Sequence, residues 1–118
     1  MLTEKDYCDY DTCVALRELG FTLDMTEKVY ERNLMTNRYE TIPKPSLYEA
    51  QKWLREERGI GVFVSGFKNG YTFWINNLLN GDTLYQGFFD NQTGKKYNSY
   101  EEALAEGIKE AVKLLKEE

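Results

Sequence analysis

The stretch Ile60-Gly61-Val62-Phe63-Val64-Ser65-Gly66-Phe67-Lys68-Asn69-Gly70-Tyr71-Thr72-Phe73-Trp74-Ile75-Asn76-Asn77 decides the fold. Two runs of β-branched and aromatic residues flank an Asn-Gly pair, the dipeptide that favours a two-residue turn with positive φ whose twist matches antiparallel strands. With Asn69-Gly70 as that turn, Lys68 faces Tyr71, Ser65 faces Trp74 and Val64 faces Ile75. Alternation then puts Val62, Val64, Phe73 and Ile75 on one face of the hairpin and Phe63, Phe67, Thr72 and Trp74 on the other. Both faces are apolar.

Downstream, a second Asn-Gly pair, Asn80-Gly81, predicts a further hairpin into Thr83–Phe89. The turn-rich run Asp90-Asn91-Gln92-Thr93-Gly94 then precedes a short strand, Lys95–Tyr97, completing an antiparallel meander. Gly66 and Gly87, inside strands, mark bulges or close backbone approach. Ser99 with Glu102 three residues on is a capping box, and it starts a helix to about Lys116 whose broad apolar face is Ala103, Leu104, Ile108, Ala111, Val112 and Leu115.

Upstream, Gly59 ends a helix that another capping box, Ser46 with Glu49, begins; Leu47, Ala50, Trp53 and Leu54 line its inner face. Pro43-Lys44-Pro45 bars helix before it, since each proline drives its predecessor into extended geometry. A shorter helix runs between the caps Asp9 or Asp11 and the stop Gly20, with Cys13, Leu16 and Leu19 as its stripe. Residues 21–42 are the least defined; Glu27–Glu31 and Arg38–Thr41 read as strands around a turn. The expected fold is α+β: a three- to four-stranded antiparallel meander packed with a long C-terminal helix and preceded by two shorter helices. The second hairpin face then needs a cover, from the first helix, from residues 27–42 or from a partner.

A chain of 118 residues, 42% hydrophobic and rich in Tyr and Phe, supports one core and one domain, residues 1–118. Its start lacks the basic and apolar runs of a secretory signal, and no stretch approaches the roughly 18 apolar residues of a membrane span, so a cytoplasmic protein without membrane contact is expected. Cys8 and Cys13 are the only cysteines. On a helix their five-residue spacing is about 140° around the axis, so they are expected on different faces, as buried or half-buried thiols without a disulfide.

The net charge is −5. Residues 1–40 carry 5 basic and 9 acidic groups, residues 99–118 carry 3 and 6, and residues 41–98 carry 7 and 5. Acidic ends disfavour general polyanion binding and leave a weakly basic middle. The chain has no histidine, which removes the commonest general base near neutrality, the usual activator of Ser and Cys nucleophiles and the commonest zinc ligand. The 20 carboxylates fall on solvated helix faces and at caps. Acids at positions 6, 9 and 11 around Cys8 oppose a reactive thiolate. No glycine motif of a nucleotide loop occurs. No catalytic, cofactor-binding or metal-binding residue is assigned, and no cofactor is expected.

The surface that stands out is aromatic: Phe63, Phe67 and Trp74, joined by Tyr85 and Phe89, with Lys68, Lys95 and Lys96 at the sheet margins. Sheet aromatics stack on unpaired bases and lysines track phosphates, so nucleic acid is one candidate ligand. Helix–strand–strand–strand–helix order over residues 46–116 resembles double-stranded-RNA-binding domains, and residues 60–116 resemble the arm-binding domains of phage integrases, although Glu101-Glu102 opens the last helix with charge that repels phosphate.

Three further stretches, Leu16-Arg17-Glu18-Leu19-Gly20-Phe21, Pro45 to Glu56 with Gly59-Ile60, and Tyr97 to Ile108, together resemble a group of small uncharacterised proteins from gut anaerobic bacteria and their phages or mobile elements. That resemblance implies origin and compartment and carries over no functional residue. The expected role is a non-enzymatic interaction module that binds a protein or itself, with a nucleic-acid-binding accessory domain as the alternative.

Overall fold

The computed structural model describes residues 2–35, 38–67, 70–85 and 96–117, the side chains of 32–35, 38–39 and 67 excepted. The elements in chain order are α1 (Tyr10–Glu18), β1 (Val29–Met35), β2 (Arg38–Pro43), α2 (Leu47–Arg58), β3 (Ile60–Phe67), β4 (Gly70–Asn77), β5 (Thr83–Tyr85) and α3 (Tyr100–Lys116), with single 3-10 turns at Glu4–Asp6 and Leu23–Met25. The class is α+β, as expected. Among the described residues no helix is long and apolar enough to cross a membrane.

Local chemistry fixes the helix ends. Asp9 accepts the amide of Thr12 at 2.8 Å to start α1. Gly20, at φ 116°, lets Phe21 turn back and donate its amide to the Leu16 carbonyl at 2.9 Å. The α2 box is reciprocal: Glu49 N donates to Ser46 Oγ at 3.1 Å and Ser46 N donates to Glu49 Oε1 at 2.8 Å. Only half of the expected second box forms. Ser99 Oγ accepts from Glu102 N, but the Glu102 carboxylate turns to the amide of Asn98 instead of Ser99.

Strands β3, β4 and β5 form one antiparallel sheet in that order. Its hairpin register differs from the expected one by two residues: Val62 faces Ile75, Phe63 faces Trp74, Val64 faces Phe73 and Phe67 faces Gly70. Gly70 therefore belongs to the strand, where it pairs with Phe67. A contact distant in sequence explains the shift. Tyr71 and Tyr97 exchange both backbone hydrogen bonds, at 2.9 and 2.8 Å, and a Cβ on residue 70 would lie 2.9 Å from the Tyr97 carbonyl oxygen. A slip of two leaves every side chain on its expected face. Of the expected strand Lys95–Tyr97, Tyr97 forms this bridge, pairing runs regularly through Gly66 without a bulge, and Lys95 and Gly87 lie outside the described residues.

The α3 stripe packs on the inner face of the sheet, with Ile108 and Leu104 fully buried against Val62, Phe73 and Ile75. Gly107 makes the approach possible, since a Cβ there would meet Val62 Cγ1 at 2.7 Å. Helix α2 adds Leu47 and Leu54 to the same core, and Gln51 donates to the Val62 carbonyl at 2.7 Å, capping part of the free edge of β3. Among the described residues, strands β1 and β2 pair only with each other, as a separate two-stranded ribbon. Its base is held by buried Ile42, by Tyr30 edge-on to Tyr10 at 5.7 Å and by the Arg17–Glu40 ion pair.

Cys8 and Cys13 are free, buried thiols, but they do not diverge. The helix starts after Cys8, so the helical angle does not apply to the pair, and Cys13 Sγ donates to the Cys8 carbonyl at 3.5 Å.

Candidate functional site

The outer face of the three-stranded sheet carries Gly61, Phe63 and Ser65 from β3 and Thr72, Trp74 and Asn76 from β4. Helix α1 packs on β2 and α3, and among the described residues no side chain of this face belongs to the hydrophobic core, although Thr72 within it is only 3% exposed and Gly61 is buried. Phe63 is 43% exposed. Trp74, opposite Phe63, is half-buried and donates its indole N–H to Ser65 Oγ at 3.1 Å, so its polar atom is satisfied within the face.

Glycine shapes the next layer. A Cβ on Gly61 would lie 2.6 Å from Phe63 Cε2 and 3.0 Å from Leu78 Cδ2, so the phenyl ring and the leucine meet over a bare backbone. Gly59, left-handed at φ 65°, has Leu79 Cγ 3.1 Å from its own Cβ position. The two leucines belong to a tightly hydrogen-bonded turn. Asn77 N donates to the Asp82 carbonyl at 2.7 Å, Gly81 N to the Asn77 carbonyl at 2.8 Å, Leu78 N to the Gly59 carbonyl at 2.8 Å and Leu79 N to Asn77 Oδ1 at 2.9 Å. Leu78 is nevertheless 42% exposed and Leu79 86%. Phe63, Leu78, Leu79 and Trp74 thus form an apolar ridge that no residue type in it can ionise.

The eight residues singled out in the sequence do not assemble into one surface. Phe63 and Trp74 share the outer face as expected. Tyr85 does not: it pairs with Ile75 and stacks on Phe73, centroids 4.8 Å apart and planes at 14°, on the helix-facing side. One extra residue in β5 between the Asn76–Thr83 and Ile75–Tyr85 pairs sets its direction. Lys96 is exposed beside Gly70, at the far end of β4 from Phe63. The Phe67 side chain and all of Lys68, Phe89 and Lys95 lie outside the described residues. In the sequence Leu78 and Leu79 are hidden by the neighbouring Asn80-Gly81, which reads as a plain turn; their one signal is an apolar pair ahead of that turn, past the end of β4.

The perturbed ionisable groups lie elsewhere. Contact with Cys13 and burial push the Cys8 thiol well up. Burial alone would raise Asp9, but hydrogen bonds from Lys109 and Thr12 outweigh it and hold the carboxyl low. The hydrogen bond from the Thr3 amide lowers Asp6. Lys44 sits 4.6 Å from the Tyr30 ring centre and 2.6 Å from Glu4, which raises its ammonium. A cleft of about 500 Å³ between α1 and α3 is crossed by the Lys109–Asp9 pair at 2.8 Å, while Lys116 pairs with Glu18 at 2.8 Å. These contacts tie helices together. Among the described residues no three His, Cys, Asp or Glu side chains gather where a metal ion could be held.

No protein-family model, curated protein or solved structure matches the chain.

Proposed function

We propose that the chain is a non-enzymatic interaction module that associates with a second copy of itself through the ridge of Phe63, Leu78, Leu79 and Trp74. The observation that carries this reading is the 86% exposure of Leu79 beside 43% for Phe63, on a turn whose own hydrogen bonds hold it in place. Exposed apolar side chains scattered singly need no explanation, but a contiguous ridge costs solubility unless it is used.

Charge supports a second copy as the occupant. In a chain of net charge −5, a ridge without ionisable groups is the surface where two copies meet without like charges in contact. The same property argues against nucleic acid, because phosphate needs cations beside the stacking rings, and Tyr85 is turned away from them.

Light scattering over a concentration series tests the reading. The account expects a mass rising toward twice the 13.9 kDa of one chain, and Phe63→Ser with Leu79→Ser returning it to 13.9 kDa with unchanged circular dichroism. A wild-type chain that stays at the single-chain mass at every concentration contradicts it.

A further inference from the structure

Cys8 and Cys13 occupy a recognisable pair of positions. With Asp9 as the N-cap of α1, Tyr10 is the first helical residue, Cys8 is the residue before the cap and Cys13 is the fourth of the helix. Apolar side chains at those two positions pack together and fix the angle at which a chain enters a helix, an arrangement called a hydrophobic staple. Here both halves of the staple are thiols. Cys8 is 2% and Cys13 0% exposed, and Cys13 Sγ lies 3.5 Å from the Cys8 carbonyl oxygen.

The surroundings hold Cys8 in place from three sides. Its amide donates to the Pro45 carbonyl at 3.0 Å, its carbonyl also accepts from the Tyr30 hydroxyl at 3.3 Å, and the neighbouring Tyr7 bridges to Ser46. The staple therefore joins α1 to the entry of α2 and to the base of the ribbon.

We propose that this staple is redox-convertible: Cys8 and Cys13 close to an intramolecular disulfide within the folded chain, in exchange with a small-molecule disulfide of the glutathione type. The first thiolate attacks one sulfur of the oxidant, forming a mixed disulfide and expelling one small thiol. The second thiolate attacks the protein sulfur of that mixed disulfide, forming the Cys8–Cys13 bond and expelling the other small thiol. Two protons leave the protein, two electrons pass to the oxidant, and the oxidant is recovered as two thiols. Burial shields both thiols in the closed state, so exchange proceeds when the segment before α1 opens.

Equilibrium in glutathione buffers decides the matter without depending on access, because it is approached from both the reduced chain and a chain oxidised in concentrated urea. The readout is the fraction of full chain lighter by two hydrogens, with and without urea. For a disulfide the fold accommodates, the effective concentration of the two thiols in the native chain exceeds that in urea by about tenfold or more, because the fold already holds together two side chains that the unfolded chain must bring together by closing the loop. The oxidised chain also keeps the helix signal of the reduced one, and Cys13→Val, which leaves an apolar staple, folds but takes up only mixed glutathione disulfide. A native effective concentration equal to or below the urea value, or native chains carrying only mixed or intermolecular disulfides, overturns the proposal.

Discussion

Gly107 offers the sharpest test of how α3 meets the sheet. In a solvent-exposed helix, Gly→Ala gains about 1 kcal/mol of stability through helix propensity. At position 107 the new Cβ would lie 2.7 Å from Val62 Cγ1 and 3.1 Å from Phe73 Cγ, where carbon atoms prefer about 3.5–4.0 Å. Valine is stiff and the phenyl ring is packed on Tyr85, so neither yields freely. Overpacking of this kind costs about 1–3 kcal/mol, and after the propensity gain a net loss of about 1 kcal/mol remains. Urea unfolding followed by Trp53 and Trp74 fluorescence should show a midpoint lower by roughly half a molar, for a slope of about 1–3 kcal/mol per molar. Val62→Ala removes the nearer clash, so Gly107→Ala in that background should be neutral or stabilising, a coupling of about 1–2 kcal/mol. A midpoint that rises on Gly107→Ala in the otherwise unchanged chain refutes the close approach.

Other expectations concern the caps and the acid limb. Ser46→Ala should lose about 2 kcal/mol and Ser99→Ala about half that, because only Ser46 is buried and reciprocally bonded; equal losses in thermal unfolding would contradict the asymmetry. Gly59→Ala should cost about 1–2 kcal/mol for its left-handed backbone, and more than Gly81→Ala, whose Cβ position is open while that of Gly59 meets Leu79; the reverse order in urea midpoints argues against the Leu79 contact. The Asp9 carboxyl is held low in the folded chain, so its stabilisation is complete above about pH 4, the unfolded value, and is lost as pH falls through the lower native one. Asp9→Asn keeps a cap but loses that dependence, and a stability profile below pH 4 as steep as that of the unaltered chain would count against the Lys109–Asp9 pairing.

Much of the fold was legible because its determinants are local. Asp9, Ser46 and Ser99 cap helices through their own next turn, Gly20 and Gly59 end them through backbone freedom, and the stripe from Ala103 to Leu115 needs only the helical period. The hairpin faces survived a wrong register because the slip was even, whereas the register itself depended on Tyr97, more than twenty residues downstream of Gly70. Tyr85 was placed on the wrong face for a related reason: one extra residue in β5 reverses a side chain, and nothing in Thr83-Leu84-Tyr85 announces it. The thiol pair was misjudged by treating Cys8 as helical, when Asp9 already marks the boundary. Half of the candidate site, Phe63 and Trp74, followed from alternation. The other half, Leu78 and Leu79, follows from two glycines whose missing Cβ atoms leave room that only the folded chain reveals.

The most direct measurement of the central claim is iodide quenching of Trp74 in a Trp53→Phe chain, taken across the concentration range of the light-scattering series. The account predicts a half-accessible indole at low concentration that becomes protected as the mass doubles, with the transition abolished by Phe63→Ser. Quenching that stays constant while the mass doubles would move the contact to another surface, and a Trp74 shielded at all concentrations in a single chain would show that the ridge is not a free surface at all.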